Sequence, residues 1–198
     1  PRHDKLPKVT VKRTADGYGS NWICDNLEAG SQIEALPPSG VFTPANFHTP
    51  LLLIAAGSGV TPVMSILKHA LLTGTGQITF FYANRSENDV IFADELRRLQ
   101  AKYPARLTVL HWLESVQGLP SDRTLATLFA PMSATHTAYM CGPGPFMDAA
   151  HSALIKARFD SKRVHVEIYN SLSGDPFADV ELGEVSAEEA AAAAEVEV

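Results

Sequence analysis

A glycine-containing turn that follows a strongly apolar run carries residues suited to binding phosphate groups. The turn reads GSGVTP at residues 57–62 and follows LLLIAA at residues 51–56. Glycines let the backbone approach a phosphate closely, and the free N–H groups at the start of a following helix attract the anion. We expect Pro62 at the first helical position and the Thr61 hydroxyl to cap the helix or bind a phosphate oxygen. The turn predicts a phosphate site, with an ordinary strand-to-helix turn as the alternative.

The spacing of this turn differs from two common phosphate-binding loops. No Gly-Lys-Ser/Thr follows, as a Walker loop requires, and Pro62 stands at the position of the third glycine of G-x-G-x-x-G. We assign both Gly57 and Gly59 to the close approach of a phosphate. On that assignment, Gly59→Val should remove dinucleotide binding and leave the fold largely intact.

A second apolar run, TAYMC at residues 137–141, ends in a cysteine and is followed by Gly142, Pro143 and Gly144. These glycines again permit a close approach to the backbone. Cys141 stands where a strand should stop, which is where ligands of parallel sheets bind. An inert buried thiol is the alternative, since free cysteines are among the most buried residues.

A third segment, YANR at residues 82–85, also follows an apolar run. In dinucleotide sites the corresponding strand end faces the adenosine ribose, where an acid favours NAD and a base favours a 2′-phosphate. Here Asn84 is neutral and Arg85 is basic, with Glu87 and Asp89 close behind. The segment therefore indicates neither nucleotide clearly, and a solvated Arg85 paired with these carboxylates is the alternative.

The three segments belong to a pattern that repeats five times between residues 50 and 170. The expected strands are LLLIAA (51–56), QITFFYA (77–83), RLTVLHW (106–112), TAYMC (137–141) and RVHVEIY (163–169). The expected helices are 62–73, 89–102, 121–130 and 145–157, from apolar residues at helical spacing. This alternation predicts an α/β fold with a five-stranded, doubly wound parallel sheet.

The two ends of the chain differ from this pattern. KVTVKR (8–13) and QIEALPP (32–38) alternate like antiparallel strands, and SNWICDNL (20–27) between them suits a short helix. This is too little for a stable β-domain, so we expect residues 1–48 to be the remaining piece of a domain whose start is missing. Residues 49–170 form the expected nucleotide-binding domain. The Ala/Glu-rich residues 171–198 are expected to be a linker or a disordered tail.

Charge and cysteine usage exclude several kinds of function. The first 170 residues hold all 16 basic and 14 of the 22 acidic residues, so the net charge of −6 arises in the tail. A near-neutral body gives no reason to expect nucleic acid as a partner. No run of 18 apolar residues and no signal-peptide core appear, so we expect no membrane span and a cytoplasmic location. Two cysteines, Cys24 and Cys141, cannot supply a four-cysteine zinc or iron–sulfur site, and the seven histidines lack paired ligand spacing.

The motifs together, GSGVTPVMS, YANR, CGPGPFM and VHVEIY, resemble the ferredoxin–NADP reductase superfamily in order and spacing over about residues 8–170. They are most similar to the reductase components of multicomponent oxygenases. The upstream DGYGSNW resembles the superfamily's second flavin segment, in which a Gly-x-x-Ser turn binds the FAD diphosphate. The resemblance implies that residues 1–48 are the C-terminal part of an antiparallel, FAD-binding β-barrel. The resemblance also implies a first flavin motif before residue 1 and a plant-type ferredoxin domain with a 2Fe–2S cluster after the tail, so a fragment of a longer protein is expected.

The resemblance implies a role for each candidate residue. The dinucleotide pyrophosphate would lie on the first turn, the adenosine ribose near Arg85, and the nicotinamide beside Cys141, with Gly142 letting the ring enter. Glu167 would face the junction of flavin and nicotinamide, and a partnered carboxylate on an edge strand is its alternative. The expected cofactor-binding residues are Gly17, Ser20, Asn21, Gly57, Ser58, Gly59, Thr61, Pro62, Asn84, Arg85, Gly142 and Pro143, and the expected catalytic residues are Cys141 and Glu167.

The function implied by the resemblance is hydride transfer from NADH, preferred to NADPH, to FAD. Single electrons would then pass through a 2Fe–2S cluster to a terminal oxygenase or a ferredoxin. The alternatives are a nucleotide-binding fragment without flavin and an ordinary dehydrogenase. A dehydrogenase is disfavoured because no His or Tyr-Lys proton-transfer pair stands at a recognisable spacing.

Overall fold

A five-stranded parallel sheet forms the centre of the protein. The computed structural model describes residues 6–35, 37 and 40–169, so the acidic segment 171–198 lies outside the described residues. The strands are β1 (Leu51–Ala56), β2 (Ile78–Asn84), β3 (Leu107–Leu113), β4 (Thr137–Cys141) and β5 (Val164–Glu167). Their order is β3-β2-β1-β4-β5, and all neighbouring pairs are parallel. The predicted doubly wound sheet is confirmed.

The helices follow the predicted alternation. They are α1 (Tyr18–Asn26), α2 (Val60–Thr73), α3 (Ala93–Lys102), α4 (Glu114–Gln117), α5 (Asp122–Phe129) and α6 (Gly144–Lys156). Short 3-10 turns occupy Gly57–Gly59, Glu87–Asp89, Ala130–Met132 and Ser161–Arg163. Ser121 caps α5 by accepting a hydrogen bond from the Thr124 N–H, as its position before the apolar residues predicts.

Two element ends differ from the prediction for identifiable reasons. The expected helix 89–102 begins only at Ala93, because Ser86 and Asp89 close a separate turn through reciprocal capping bonds and Phe92 has a left-handed backbone (φ 63°). The expected strand 163–169 ends at Glu167, which pairs with Cys141 at the end of β4. β4 ends at the same pair, so no strand of the described residues continues beside residues 168 and 169 to share backbone hydrogen bonds with them.

The central strand β1 separates two hydrophobic cores. Its six residues are all buried. Leu51, Leu53 and Ala55 pack with α2 and α3, whereas Leu52, Ile54 and Ala56 pack with α5 and α6. Because successive side chains of a strand point to opposite faces, only a strand with helices on both sides is apolar throughout. The two layers hold the carboxyl ends of β1 and β4 rigidly side by side.

The N-terminal segment contains the predicted helix and lacks the predicted strands. α1 covers most of the expected 20–27, but 8–13, 32–35 and 37 are not in strands. A strand needs a neighbour to pair its backbone groups, and no strand of the described residues lies beside these segments. Instead the segment is joined to the rest by contacts such as the Lys12–Asp89 ion pair, with 3.9 Å between nitrogen and oxygen.

The described part of the chain offers neither a bilayer-spanning helix nor a metal-binding cluster. No helix there combines the length and apolar character needed to cross a membrane. No group of three or more His, Cys, Asp or Glu side chains there is arranged to hold a metal ion.

Candidate dinucleotide site

The candidate site lies where the strand order reverses. The chain starts the sheet at β1, moves outward through β2 and β3, and returns to the other side of β1 as β4. At this switch point the connections after β1 and β4 leave in opposite directions, which opens a crevice beyond the carboxyl ends of the two strands. Both glycine segments lie at this crevice, one after Ala56 and one after Cys141.

Gly57 gives the first turn its shape. Its φ is +51°, a left-handed value that favours glycine, and a Cβ at this position would meet no atom within 4 Å. The 3-10 turn Gly57–Gly59 then runs directly into α2. The start of a helix leaves N–H groups without an intrahelical partner, and here the Val60 N–H bonds back to the Gly57 and Ser58 carbonyls. Ser58 is exposed and Gly57 has open space beside it, so the outer side of this turn is accessible.

Gly59 has a different role from the one predicted. It is buried, and a Cβ built on it would lie 2.6 Å from the Gly142 nitrogen and closer still to the Cys141 carbonyl group. Gly59 therefore lets the start of α2 pack against the end of β4, a packing role that the prediction did not include. The expectation that Gly59→Val would leave the fold intact is wrong, because the side chain would push against backbone atoms.

Gly142 is also a packing position. A Cβ there would lie 3.0 Å from Cδ1 of Phe146 and 3.1 Å from Cβ of Ala56, so a side chain at this position would require these neighbours to shift. The next glycine, Gly144, is the first residue of α6 and has open space around its Cα. Pro143 precedes it as the N-cap residue of α6. The start of α6, the second helix N-terminus at the crevice, is therefore uncrowded at Gly144.

Thr61 and Pro62 lie two positions deeper in α2 than expected. α2 begins at Val60 with Gly59 as its N-cap, so Pro62 is its third residue and Thr61 does not cap it. The Thr61 hydroxyl donates to the Ser58 carbonyl oxygen at 3.1 Å and, with that hydrogen engaged, accepts from the Tyr169 hydroxyl at 3.3 Å. The Ser58 side chain is exposed on the turn. Sequence reasoning missed Tyr169, although an aromatic residue two positions beyond Glu167 was a usable signal.

Cys141, Glu167 and Tyr169 form one neighbourhood at the end of β4 and β5. Cys141 is fully buried, and burial together with the nearby Glu167 carboxylate raises the pKa of its thiol to about 11. Burial also raises the pKa of Tyr169, and both Cys141 and Glu167 add to that rise. Burial therefore favours the neutral thiol over the reactive thiolate at this position.

The end of β2 holds the two residues predicted beside the ribose. Asn84 is only 7% exposed, and its amide atoms make no well-formed hydrogen bond in the described residues, although they lie near the Tyr82 hydroxyl. Arg85 is exposed, and its carbonyl accepts from the Ser115 N–H at 2.8 Å. The Asp89 carboxylate accepts from the N–H and hydroxyl of Ser86, and these bonds lower its pKa.

The three residues predicted to bind a flavin diphosphate form a separate cluster at the start of α1. The Ser20 hydroxyl accepts from the Thr14 N–H at 3.1 Å and donates to the Gly17 carbonyl at 3.4 Å. The Asn21 amide donates to the same Gly17 carbonyl at 2.6 Å. Both side chains thus fold back onto the turn, and the N–H groups at the start of α1 are what remains for an anion.

The sequence itself matches a known family over the strands and helices that build this crevice. Residues 53–152 match the model of the oxidoreductase NAD-binding domain. The chain belongs to this family. The match runs from β1 into α6 and includes the glycine turn, the end of β2 and the segment 141–144.

Individual relatives extend the comparison beyond this domain. The chain is 60% identical to the "3-ketosteroid-9-alpha-monooxygenase, ferredoxin reductase component" of Rhodococcus rhodochrous, over all of this chain and 56% of that protein. It is 31% identical to one component of the 1,2-phenylacetyl-CoA epoxidase of Escherichia coli (strain K12), over 82% of this chain and 50% of that protein. The chain therefore spans about half the length of these curated relatives.

A solved structure supports the architecture. The FAD/NAD-binding domain of nitric oxide dioxygenase from Vibrio cholerae O1 biovar El Tor superposes with a TM-score of 0.65 at 29% identity, over 77% of this chain and 65% of that one. The shared fold and the family match agree on a nucleotide-binding sheet with helices on both faces.

Proposed function

We propose that residues 49–170 bind NADH at the switch point and present it for hydride transfer to a flavin. The observation that carries the proposal is the contact between the Gly57–Gly59 turn and the Cys141–Gly142 peptide in a member of the NAD-binding family. This contact sets the starts of α2 and α6 side by side at the carboxyl ends of neighbouring strands. Two helix N-termini at one crevice suit a ligand with two phosphates.

The pyrophosphate would lie across the exposed face of the first turn. Gly57 and Ser58 would supply backbone N–H groups, with the Ser58 side chain exposed for a further bond. Gly59 and Gly142 would act indirectly by keeping α2 close to β4, whereas Thr61 and Pro62 would fix the first turn of α2. Pro143 would begin the second side of the site as the N-cap residue of α6.

The nicotinamide would lie beside the ends of β4 and β5. When bound, NADH supplies the hydride and a flavin accepts it. The chain's contribution is to orient the ring: the neutral Cys141 thiol, buried at the end of β4, would lie beneath the nicotinamide position, and the half-buried Glu167 carboxylate would be the polar group at its edge. Neither residue needs to donate a proton to the nicotinamide or remove one from it.

The ribose end supports NADH over NADPH. A 2′-phosphate requires a concentrated positive charge, and the exposed Arg85 is its candidate partner here. The Asp89 carboxylate lies close enough to Arg85 for each to stabilise the other's charge, and Lys12 pairs with the same carboxylate. Glu87 lies on the same turn as Asp89, so two acidic and two basic side chains stand near the ribose position and their charges sum to zero. Asn84, whose side chain is buried at the end of β2, would lie beneath the ribose position without contacting the nucleotide.

Residues 1–48 would contribute to a flavin site as the last part of a flavin-binding domain. The start of α1, shaped by Gly17, Ser20 and Asn21, would direct N–H groups to the FAD diphosphate. The exposed apolar residues of this segment, among them Tyr18, Trp22 and Ile23, would pack on the remainder of that domain.

The whole protein would be the reductase component of a multicomponent monooxygenase acting on a 3-ketosteroid. The support is the 60% identity to a protein with that name, against 31% for the phenylacetyl-CoA epoxidase component, the alternative. Electrons would pass through a 2Fe–2S cluster held by cysteines outside these 198 residues to an oxygenase or a ferredoxin. Residues 171–198 would be an acidic linker, and the location would be cytoplasmic, where NADH is found.

Reduction of an artificial electron acceptor by the purified chain tests the proposal. Activity with NADH, little activity with NADPH and dependence on added or bound FAD, visible near roughly 450 nm, are expected. Binding of NADH without FAD-dependent turnover would favour a nucleotide-binding fragment. Absence of NADH binding by calorimetry would overturn the proposal.

A further inference from the structure

A buried tyrosine connects the glycine turn to the segment that follows β2. Tyr82 lies on β2 and is fully buried, with its ring stacked on Phe80 at 5.7 Å between centroids. Its hydroxyl donates to the Gly57 carbonyl oxygen at 3.0 Å and accepts from the Ile91 N–H at 3.3 Å. One hydroxyl group thus makes two hydrogen bonds to two loops that are 34 residues apart in the sequence.

The two loops carry opposite ends of the proposed nucleotide site. Gly57 begins the turn under the pyrophosphate, and its left-handed backbone (φ +51°) is a conformation that few residues adopt. Ile91 ends the segment that starts at Arg85, beside the adenosine ribose. A dinucleotide must contact both loops at once, so its affinity depends on their relative position as well as on their own residues.

The Gly57 carbonyl shows how the hydroxyl acts on the turn. This oxygen also accepts from the Val60 N–H, the bond that closes the 3-10 turn. With Tyr82 and Val60 both donating to it, the carbonyl points into the protein, and the N–H side of the turn therefore faces the open crevice. Without the hydroxyl, one of these two restraints on the peptide orientation is lost.

We propose that Tyr82 is a positioning residue for the dinucleotide, acting through its hydroxyl on Gly57 and Ile91. The proposal rests on the proposed NADH site. Tyr82 does not touch the ligand, because it is fully buried beneath the turn. Its role is to keep the turn in the conformation that binds a phosphate, and loss of that conformation reduces the apparent affinity by the fraction of molecules that leave it.

Tyr82→Phe isolates the hydroxyl, because phenylalanine keeps the ring in the core. Tyr139→Phe is the matched control: Tyr139 is 3% exposed on β4, its ring stacks on His165, and its hydroxyl makes none of the described hydrogen bonds. NADH affinity is measured by calorimetry at a temperature where circular dichroism shows each variant fully folded. A melting curve for each variant separates stability from affinity.

The expected result is a roughly five-fold rise in Kd for Tyr82→Phe, the effect of losing the hydrogen bond that orients the Gly57 turn, with Tyr139→Phe unchanged. A lower melting temperature with an unchanged Kd would mean a purely structural role and would overturn the proposal, as would an equal rise in both variants. If the unaltered chain itself binds no NADH, the proposed function fails instead, and the two failures are thereby distinguished.

Discussion

Gly59 and Cys141 are packed so closely that no side chain fits between them. A Cβ on Gly59 would overlap the Cys141 carbonyl group, which belongs to the central sheet and cannot move without disturbing β1 and β5 on either side. The glycine therefore determines how closely α2 approaches the sheet. It acts on the site through the architecture, which changes what its substitution should do.

Gly59→Ala should destabilise the folded chain by roughly 1–3 kcal/mol, the usual effect of forcing extra carbon into a packed interior. The control is Gly144→Ala, which adds the same methyl group at the start of α6, where nothing lies within 4 Å of the new atom. Urea unfolding followed by circular dichroism gives both values. Equal stability of Gly59→Ala and the unaltered chain would contradict the packing role.

Ser58→Asp should block anion binding and leave the fold unharmed. Ser58 is exposed on the turn, and a carboxylate at the start of α2 is favourable for the helix while it repels a pyrophosphate. We expect at least a roughly ten-fold rise in the Kd for NADH, or about 1.4 kcal/mol. Calorimetry on the folded variant provides the measurement.

The control for this charge is Ala134→Asp. Ala134 lies in the turn before β4, at the opposite edge of the sheet from the crevice. The substitution Ala134→Asp adds the same charge to the chain without placing it near the proposed phosphates. If both variants weaken NADH binding equally, net charge explains the effect and the position of the phosphate site is wrong.

The sequence was sufficient to predict the sheet, because strand–helix alternation has few compact solutions. It also located the crevice, since both glycine segments follow apolar strands. It could not assign a role to each glycine. The sequence does not distinguish Gly57, Gly59 and Gly142. In the structure Gly57 adopts a left-handed backbone, whereas Gly59 and Gly142 lie against backbone or side-chain atoms of other elements. Those contacts depend on helix placement to within about 1 Å, which residue types do not specify.

The strand predictions at 8–13 and 32–38 were wrong over their described residues for a related reason. Alternating polar and apolar residues favour a strand only when a neighbouring strand is present to pair with. The partnership of Tyr82 with Gly57 and Ile91 was equally invisible, because the three residues come together only after β2 is placed beside β1.

The two cysteines should differ strongly in reactivity. Cys24 is exposed on α1, whereas Cys141 is fully buried and the pKa of its thiol is raised to about 11. Because the thiolate is the reactive form, iodoacetamide near neutral pH should add one group to the native chain and two after denaturation in guanidinium chloride. Intact mass spectrometry counts the additions.

A Cys24→Ser variant is the control, and it should remain unmodified until it is denatured. Modification of Cys141 in the native variant at the rate of a free peptide thiol would mean that the end of β4 is open to solvent. That outcome would contradict the burial of the thiol, whereas protection supports it.

Tyr82 should also make stability fall at alkaline pH. Burial raises the pKa of its hydroxyl from 10.0 to about 12, so between these values the unfolded chain releases a proton that the folded chain retains. Stability is therefore lost as the pH rises through this range, by at most about 1.4 kcal/mol per pH unit. Tyr82→Phe lacks this proton and should not show this part of the loss of stability.

Urea unfolding of both proteins should give a constant stability difference between about pH 7 and 9 and a shrinking one above about pH 10. A difference that stays constant up to about pH 12 would show that the hydroxyl ionises as readily in the folded chain as in water, contrary to its burial beneath the turn.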